Sequence, residues 1–132
     1  MRPEQALKGV QMGRARVFLV EDEALIRLML AEMIEELGHQ IVAEAGSIQS
    51  ALSLAETAAF DIAILDVNIG GYHIDKVAQA IEHRGLPFIF VTGYAKAAMP
   101  PAFTDRPHLQ KPCLLEILGR EITSALGTPK AA

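Results

Sequence analysis

The chain has 132 residues, 51% hydrophobic and 21% charged, which indicates one folded domain with one core and excludes a disordered chain. Its formal net charge of −4 excludes a typical nucleic-acid binder, and its single cysteine, Cys113, excludes an internal disulfide and a cysteine-based zinc site. Because no apolar run approaches the ~20 residues that cross a bilayer and the N-terminus lacks a secretory signal, we expect a cytoplasmic protein without DNA or membrane partners.

Short apolar runs alternate with amphipathic stretches between two ends of mixed composition. We expect a flexible leader over residues 1–14, one domain over 15–127 and a C-terminal stub over 128–132. The apolar runs predict five strands, at residues 17–20, 40–44, 62–65, 88–91 and 108–110. The amphipathic stretches predict four helices, at residues 24–37, 48–58, 74–83 and 114–126.

The periodicity also predicts where individual side chains lie. Arg27 is assigned to the polar face of the first helix. The inward face of that helix is predicted to consist of Ile26, Met29, Leu30, Met33 and Leu37. The four histidines lack the spacing of metal ligands and are interpreted as surface residues: His39, His73, His83 and His108.

Strands that alternate with helices predict a parallel sheet covered by helices on both faces. The first, third and fourth strands are continuously apolar and should be central, whereas the polar second and fifth should be edges. Right-handed crossovers then give the strand order 2-1-3-4-5, a flavodoxin-like, doubly wound α/β fold. A further helix would have to lie between Ala95 and Pro107, where Pro100 and Pro101 leave it short or disordered.

Polar, chemically reactive side chains stand where the strands end, on the rim where such sheets bind ligands. Glu21 and Asp22 follow the first strand, Asp66 the third, Thr92 the fourth and Lys111 the fifth. Crowded carboxylates require a counter-ion, and Mg²⁺ prefers carboxylate and phosphoryl oxygens. An aspartate beside Mg²⁺ can attack phosphorus and form an acyl phosphate, while a lysine and a hydroxyl hold the other phosphoryl oxygens. The rim therefore predicts phosphoryl chemistry.

Four motifs resemble those of the receiver domains of bacterial response regulators, over roughly residues 16–126. They are VEDE at 20–23, ILDVN at 64–68, VTG at 91–93 and QKP at 110–112. The resemblance implies that Asp66 is the phosphoacceptor. It also implies that Thr92 and Lys111 bind the phosphoryl group, and that the peptide bond between Lys111 and Pro112 is cis.

The resemblance further implies a divalent metal site. In the family, an acidic pair, the acceptor aspartate and the backbone carbonyl two residues after the acceptor hold Mg²⁺ or Mn²⁺. Those positions are occupied here by Glu21 and Asp22, by Asp66 and by Asn68. Asp22, Asp66 and the Asn68 carbonyl are the expected direct ligands.

A narrower resemblance lies in PFIFVTGY at residues 87–94, which is similar to the signature of the FATGUY receivers, single-domain regulators typical of alphaproteobacteria. It implies a sensor histidine kinase, of the HWE or a related class, as phosphodonor. Three positions depart from common receivers: Gly70-Gly71 replaces a proline, His108 an aromatic switch residue and Cys113 a phenylalanine. Tyr94 is then the aromatic residue expected to respond, together with Thr92, to phosphorylation.

These residues lead us to expect a stand-alone receiver that changes partner binding when Asp66 is phosphorylated. It would catalyse only its own phosphorylation and dephosphorylation, and its downstream protein partner is unknown. Three alternatives stay open: a phosphohydrolase acting on external substrates, a phosphate sink without an output partner, and a degenerate interaction module. Asn68 disfavours the phosphohydrolase, because such enzymes usually carry a second aspartate at that position as acid and base. The intact acidic pair and Lys111 disfavour the degenerate module.

Overall fold

The computed structural model describes residues 14–93 and 100–127. The predicted stub, Tyr94 and all of the predicted leader except residue 14 lie outside these ranges. The strands are β1 (Arg16–Val20), β2 (Gln40–Ala45), β3 (Ile62–Asp66), β4 (Asn68–Ile69), β5 (Tyr72–His73), β6 (Phe88–Thr92) and β7 (His108–Gln110). The helices are α1 (Ala24–Glu36), α2 (Ile48–Thr57), α3 (Asp75–His83) and α4 (Leu115–Gly127), with a 3₁₀ helix at Pro101–Phe103. None of these helices is long and apolar enough to cross a bilayer.

A five-stranded parallel sheet organises the fold, in the order β2-β1-β3-β6-β7. These strands are the five predicted ones, so the predicted flavodoxin-like order is confirmed. The three apolar strands are central and the two polar strands form the edges, as expected. A second, two-stranded antiparallel sheet of β4 and β5 was not predicted.

Two apolar clusters lie on opposite faces of the sheet, because successive side chains of a strand point to opposite faces. Val17 and Leu19 of β1 pack with buried residues of α1 and α4. Phe18 and Val20 of the same strand pack with buried residues of α2 and α3. This arrangement holds the central strands, and therefore the residues at their carboxyl ends, in fixed positions.

The predicted inward face of α1 is partly wrong. The buried residues of this helix are Leu30, Ala31 and Ile34, whereas Met29 is 47% exposed. Apolar residues occur on several sides of α1, since Leu25 is also exposed, and the sequence pattern therefore does not define a single buried face. The side of α1 that carries Met29 borders the functional site described below.

The described part of the segment between β6 and β7, residues 100–107, contains no α-helix. The rest of the stretch in which a short or disordered helix is predicted, residues 95–99, lies outside the described residues. The 3₁₀ helix of the described part is held by Phe103, whose ring lies 5.4 Å from that of Phe88 and 6.2 Å from that of Phe90. The Arg106 guanidinium lies 4.8 Å from the Phe88 ring centroid and pairs with Glu82 of α3 at 2.5 Å. Aromatic and cation–π contacts thus replace helical packing at this position.

The interpretation of all four histidines as surface residues is wrong for His39, which is 7% exposed. Its Nδ1 accepts a hydrogen bond from the Ala15 N–H at 3.0 Å, and the Gln40 N–H donates to the Ala15 carbonyl. Burial lowers the pKa of His39 below its usual value. Only the unprotonated Nδ1 can accept this bond, so the folded state favours neutral His39.

We expect His39 to make stability depend on pH. Because its pKa is lower in the folded state, the unfolded state binds more protons as the pH falls through the ordinary pKa of about 6.5, and stability is lost. His39→Asn keeps an acceptor atom on Cγ and does not titrate. The free energy of unfolding of the wild type should therefore fall relative to that of His39→Asn between pH 7.5 and 5.5, measured by urea denaturation. Parallel pH profiles would contradict this role.

Candidate functional site

The carboxyl ends of β1 and β3 bring three carboxylates together. Glu21 and Asp22 follow β1, and Asp66 ends β3, its neighbour in the sheet. One oxygen from each of the three lies within 4.8 Å of the others. Glu21 and Asp66 are buried, and Asp22 is partly exposed. The acidic residues predicted from the strand ends therefore form one cluster.

Lys111, directly after β7, supplies the positive charge next to this cluster. Its Nζ donates to Glu21 Oε1 at 2.8 Å and lies 3.5 Å from Asp66 Oδ2. Burial lowers the pKa of Lys111, but the hydrogen bond to Glu21 and the charges of Asp66 and Glu21 raise it more, so the net pKa is above its usual value. The lysine therefore stays charged and neutralises part of the cluster.

Among the described residues, the Lys111 ammonium group is the cation paired with these side chains, and it does not balance three carboxylates. The pKa of Asp66 shows the consequence. This pKa is raised to about 6, first by burial and then by the charge of Glu21, against the lowering effects of Lys111 and of the Asn68 N–H. The carboxylate of Asp66 is thus electrostatically disfavoured in the absence of another cation.

The remaining predicted site residues line the same rim where the structure describes them. Thr92 ends β6, is buried, and its carbonyl accepts a hydrogen bond from the Lys111 N–H at 2.8 Å. Asn68, two residues after Asp66, begins β4. The peptide bond between Lys111 and Pro112 is cis, as expected. The predicted switch residue Tyr94 lies outside the described residues.

A cavity of about 780 Å³ opens beside the acidic cluster. Asp66 and Lys111 line one part of it, and the side chains of Ile26, Met29 and Met33 line another along α1. Part of the face that the sequence assigned to the core therefore also borders the site. In the described part of the chain, Asp66 therefore borders an open cavity.

The oxygen atoms of the rim fit a divalent metal ion. Besides the three carboxylates, the side-chain Oδ1 of Asn68 is buried and has no hydrogen-bond partner among the described residues. Mg²⁺ and Mn²⁺ prefer such hard oxygen ligands. The excess negative charge, evident in the raised pKa of Asp66, would be relieved by the same cation.

Sequence reasoning missed Arg27, which it placed on the polar face of α1. Its Nη1 donates to the Glu21 carbonyl at 2.7 Å, and its Nε lies 3.4 Å from Glu44 Oε1 on β2. A Cβ at Gly46 would lie 2.7 Å from Nη1, so the absence of a side chain there makes room for the guanidinium. Arg27 thus holds the backbone of Glu21, directly before Asp22, in position.

We expect Gly46→Ala to destabilise the protein through Arg27. The added methyl group would displace the guanidinium from the Glu21 carbonyl, at a loss of about 1.5–3 kcal/mol for a hydrogen bond made by a charged group. In an Arg27→Met background the loss should disappear and can reverse, because alanine restricts the unfolded chain. Urea denaturation of the four proteins of this cycle measures the coupling. Equal effects of Gly46→Ala in both backgrounds would contradict it.

The response regulator receiver domain family matches residues 17–113 of this chain. The chain is similar to the transcriptional regulatory protein PdtaR of Mycobacterium tuberculosis, with 42% identity over 82 residues. That match covers 61% of this chain and 40% of PdtaR, so the chain spans well under two thirds of this relative's length.

Solved structures of two further proteins resemble the fold. The solution structure of SdrG from Sphingomonas melonis Fr1 has 36% identity and a TM-score of 0.77, covering 88% of this chain and 98% of SdrG. The receiver domain of PhyR from Erythrobacter litoralis has 27% identity and a TM-score of 0.73, covering 92% of this chain and 98% of that domain. The family match, the sheet order and the acidic rim agree, and the chain belongs to the response regulator receiver domains of two-component systems.

Proposed function

We propose that this chain is a phosphorelay receiver that accepts a phosphoryl group on Asp66. The observation that carries the proposal is the position of Lys111 Nζ, 2.8 Å from Glu21 and 3.5 Å from Asp66, at the edge of a cluster of three carboxylates. This arrangement combines an aspartate oxygen for the proposed attack, a fixed cation and carboxylate oxygens of the kind that bind divalent metals. The family match supports the same function.

The proposed donor is a phosphohistidine of a sensor histidine kinase, with HWE-type kinases as the first candidates to assay. A carboxylate oxygen of Asp66 attacks phosphorus and forms an O–P bond as the P–N bond of the donor breaks. The electron pair of that bond remains on the imidazole, which leaves as a neutral ring when its other nitrogen carries the proton. The product is an acyl phosphate on Asp66.

Different residues around Asp66 are proposed to bind the metal ion and the phosphoryl group. Asp22, Asp66 and the Asn68 carbonyl are the proposed ligands of Mg²⁺ or Mn²⁺, with Glu21 beside them. The bound cation would stabilise negative charge on the transferred phosphoryl oxygens. Lys111 and the Thr92 hydroxyl are proposed to hold the oxygens that face β6 and β7.

Incubation with Mg²⁺ and a small acyl phosphate, followed by intact mass spectrometry, tests the proposal. We expect one phosphoryl adduct, removed by hydroxylamine because an acyl phosphate reacts with this nucleophile. The absence of an adduct, or one that resists hydroxylamine, would contradict an aspartyl phosphate. A control reaction in EDTA should give far less product, because the carboxylate cluster then lacks its counter-ion.

A further inference from the structure

The connection between the acceptor strand and α3 is a tight hairpin. Asn68–Ile69 (β4) and Tyr72–His73 (β5) pair antiparallel across a two-residue turn. The turn residues Gly70 and Gly71 have φ values of 57° and 85°. Two successive residues with positive φ form the turn type that suits two-residue hairpins, and glycine, asparagine and aspartate are its usual residues. The backbone of this turn is therefore sharply defined.

The hairpin donates backbone hydrogen bonds to two of the three carboxylates. The Gly70 N–H donates to Asp22 Oδ2 at 2.8 Å, across 48 positions of sequence. The Asn68 N–H donates to Asp66 Oδ1 through a longer contact of 3.4 Å. These are hydrogen bonds to charged acceptors, which are stronger than those between neutral groups.

Packing against the core holds the hairpin in place. Ile69, beside the turn, and Ile74, directly after β5, are fully buried in the cluster beneath α2 and α3. The Ile74 N–H donates to the Val67 carbonyl at 3.1 Å and closes the base of the hairpin. The turn therefore anchors Asp22 to the core. This anchoring matters because the side chain of Asp22 is partly exposed and is repelled by the neighbouring carboxylates of Glu21 and Asp66.

We propose that the β4–β5 hairpin is a positioning element of the metal site: the Gly70 N–H holds the Asp22 carboxylate next to Asp66, and the Mg²⁺ affinity of the chain depends on the left-handed backbone of Gly70. This inference rests on the proposed function, which makes Asp22 a metal ligand. Because Gly70 bonds Oδ2, the other oxygen of Asp22 stays available to a cation. Without this bond, repulsion from Glu21 and Asp66 would favour rotation of Asp22 towards solvent.

A matched pair of substitutions at Gly70 tests the proposal. A Cβ at this position would contact nothing within 4 Å, so both new side chains fit and only the backbone preference differs. Asparagine adopts the left-handed conformation readily, and Asn-Gly is a preferred sequence for this turn. Valine is β-branched and strongly disfavours the left-handed conformation. Gly70→Val should weaken Mg²⁺ binding, measured by calorimetry with Mg²⁺ alone, by about tenfold or more. Gly70→Asn should bind within about twofold of the wild type.

Ile122→Ala separates positioning from general stability. Ile122 is buried in α4, on the opposite face of the sheet from the cluster that holds the hairpin, and its truncation destabilises the fold without touching the site. We expect a lowered melting temperature and wild-type Mg²⁺ affinity. Weakening of Mg²⁺ binding by Ile122→Ala equal to that by Gly70→Val would overturn the proposal.

Two further outcomes are distinguishable. If the wild type binds Mg²⁺ and Gly70→Val binds it equally well, the positioning role is wrong while the proposed function stands. If the wild type and Gly70→Asn both fail to bind Mg²⁺, the proposed metal site is wrong, and this inference fails with it. Slower hydrogen exchange of the Gly70 amide in the wild type than in Asp22→Ala, measured without metal, is the expected direct sign of the bond.

Discussion

Asp66→Asn is expected to abolish phosphorylation by an acyl phosphate in the presence of Mg²⁺. Asparagine has nearly the shape of aspartate and keeps an oxygen that can accept from the Asn68 N–H, but an amide oxygen is a poor nucleophile towards phosphorus. Intact mass spectrometry should show no hydroxylamine-labile adduct. Asp105→Asn is the matched control, because its side chain is 85% exposed in the loop before β7, and it should be phosphorylated like the wild type. An unchanged adduct on Asp66→Asn would place the acceptor elsewhere.

The same variant should be more stable than the wild type when metal is absent. The pKa of Asp66 is raised to about 6, so the folded state holds this proton more tightly than the unfolded state does. The protonated side chain of Asp66 contributes its whole stabilisation at pH values below the pKa of the unfolded state. This stabilisation is lost as the pH rises through about 6. At roughly 1.4 kcal/mol per pKa unit, Asp66→Asn should gain about 1–3 kcal/mol at pH 7.5 in EDTA, and less at pH 5. A lower melting temperature than the wild type in EDTA at pH 7.5 would contradict this electrostatic picture.

The sheet order was predictable because strands that are buried on both faces have a recognisable sequence pattern. The runs Val17–Val20, Ile62–Leu65 and Phe88–Val91 are apolar at every position, and only a strand covered on both sides tolerates this. β2 alternates between exposed and partly buried residues, as an edge does. Since the ends of parallel strands share one rim, the order of the strands also predicted which residues would meet there.

The orientation of α1 was not predictable in this way, because two different environments accept apolar side chains. Ala31 and Ile34 face the core, whereas the exposed Met29 lines the cavity beside the acidic cluster. Ile26 and Leu30 contact both the core and the cavity. Periodicity records where apolar residues recur but does not distinguish a packed core from the wall of an open cavity. A small residue such as Ala31 is buried by close helix-to-sheet packing, which sequence spacing does not reveal.

Contacts distant in sequence explain the other omissions. The bonds from Arg27 to the Glu21 carbonyl and from the Ala15 N–H to His39 depend on how the elements pack, and no motif encodes them. β4 and β5 are two residues long, too short for a periodic pattern. Their turn did leave a signal, since Gly70-Gly71 between Ile69 and Tyr72 is a recognised hairpin sequence.

Lys111→Met is expected to destabilise the metal-free protein strongly. Lys111 is the cation that pairs with Glu21, whose side chain is 1% exposed, and with Asp66, whose side chain is 6% exposed. Removing one partner of a buried ion pair costs about 3–5 kcal/mol, and protonation of a carboxylate reduces the loss, so we expect about 2–4 kcal/mol at pH 7 in EDTA. Mg²⁺ should recover much of this loss, because the proposed metal site forms only in the folded state.

The exposed Lys76 on α3 offers the matched control. Lys76→Met changes the same net charge away from the site and should alter the free energy of unfolding by less than about 0.5 kcal/mol, with or without Mg²⁺. Equal losses in the two variants, or a loss in Lys111→Met that Mg²⁺ leaves unchanged, would show that Lys111 does not balance the cluster.

Lys111→Met should also separate phosphorylation from its effect on the rest of the domain. The side chain of Lys111 contacts Asp66, and its backbone continues β7 and leads into α4, so this residue is the direct connection between the acceptor and those two elements. With Mg²⁺ present, the variant should still gain the phosphoryl group, because the nucleophile and the proposed metal ligands are intact. The NMR shift changes that phosphorylation produces at His108–Gln110 and in the first turn of α4 should be much smaller than in the wild type. If the phosphorylated variant shows the full set of wild-type changes there, the conformational signal reaches β7 and α4 by a route that does not include Lys111.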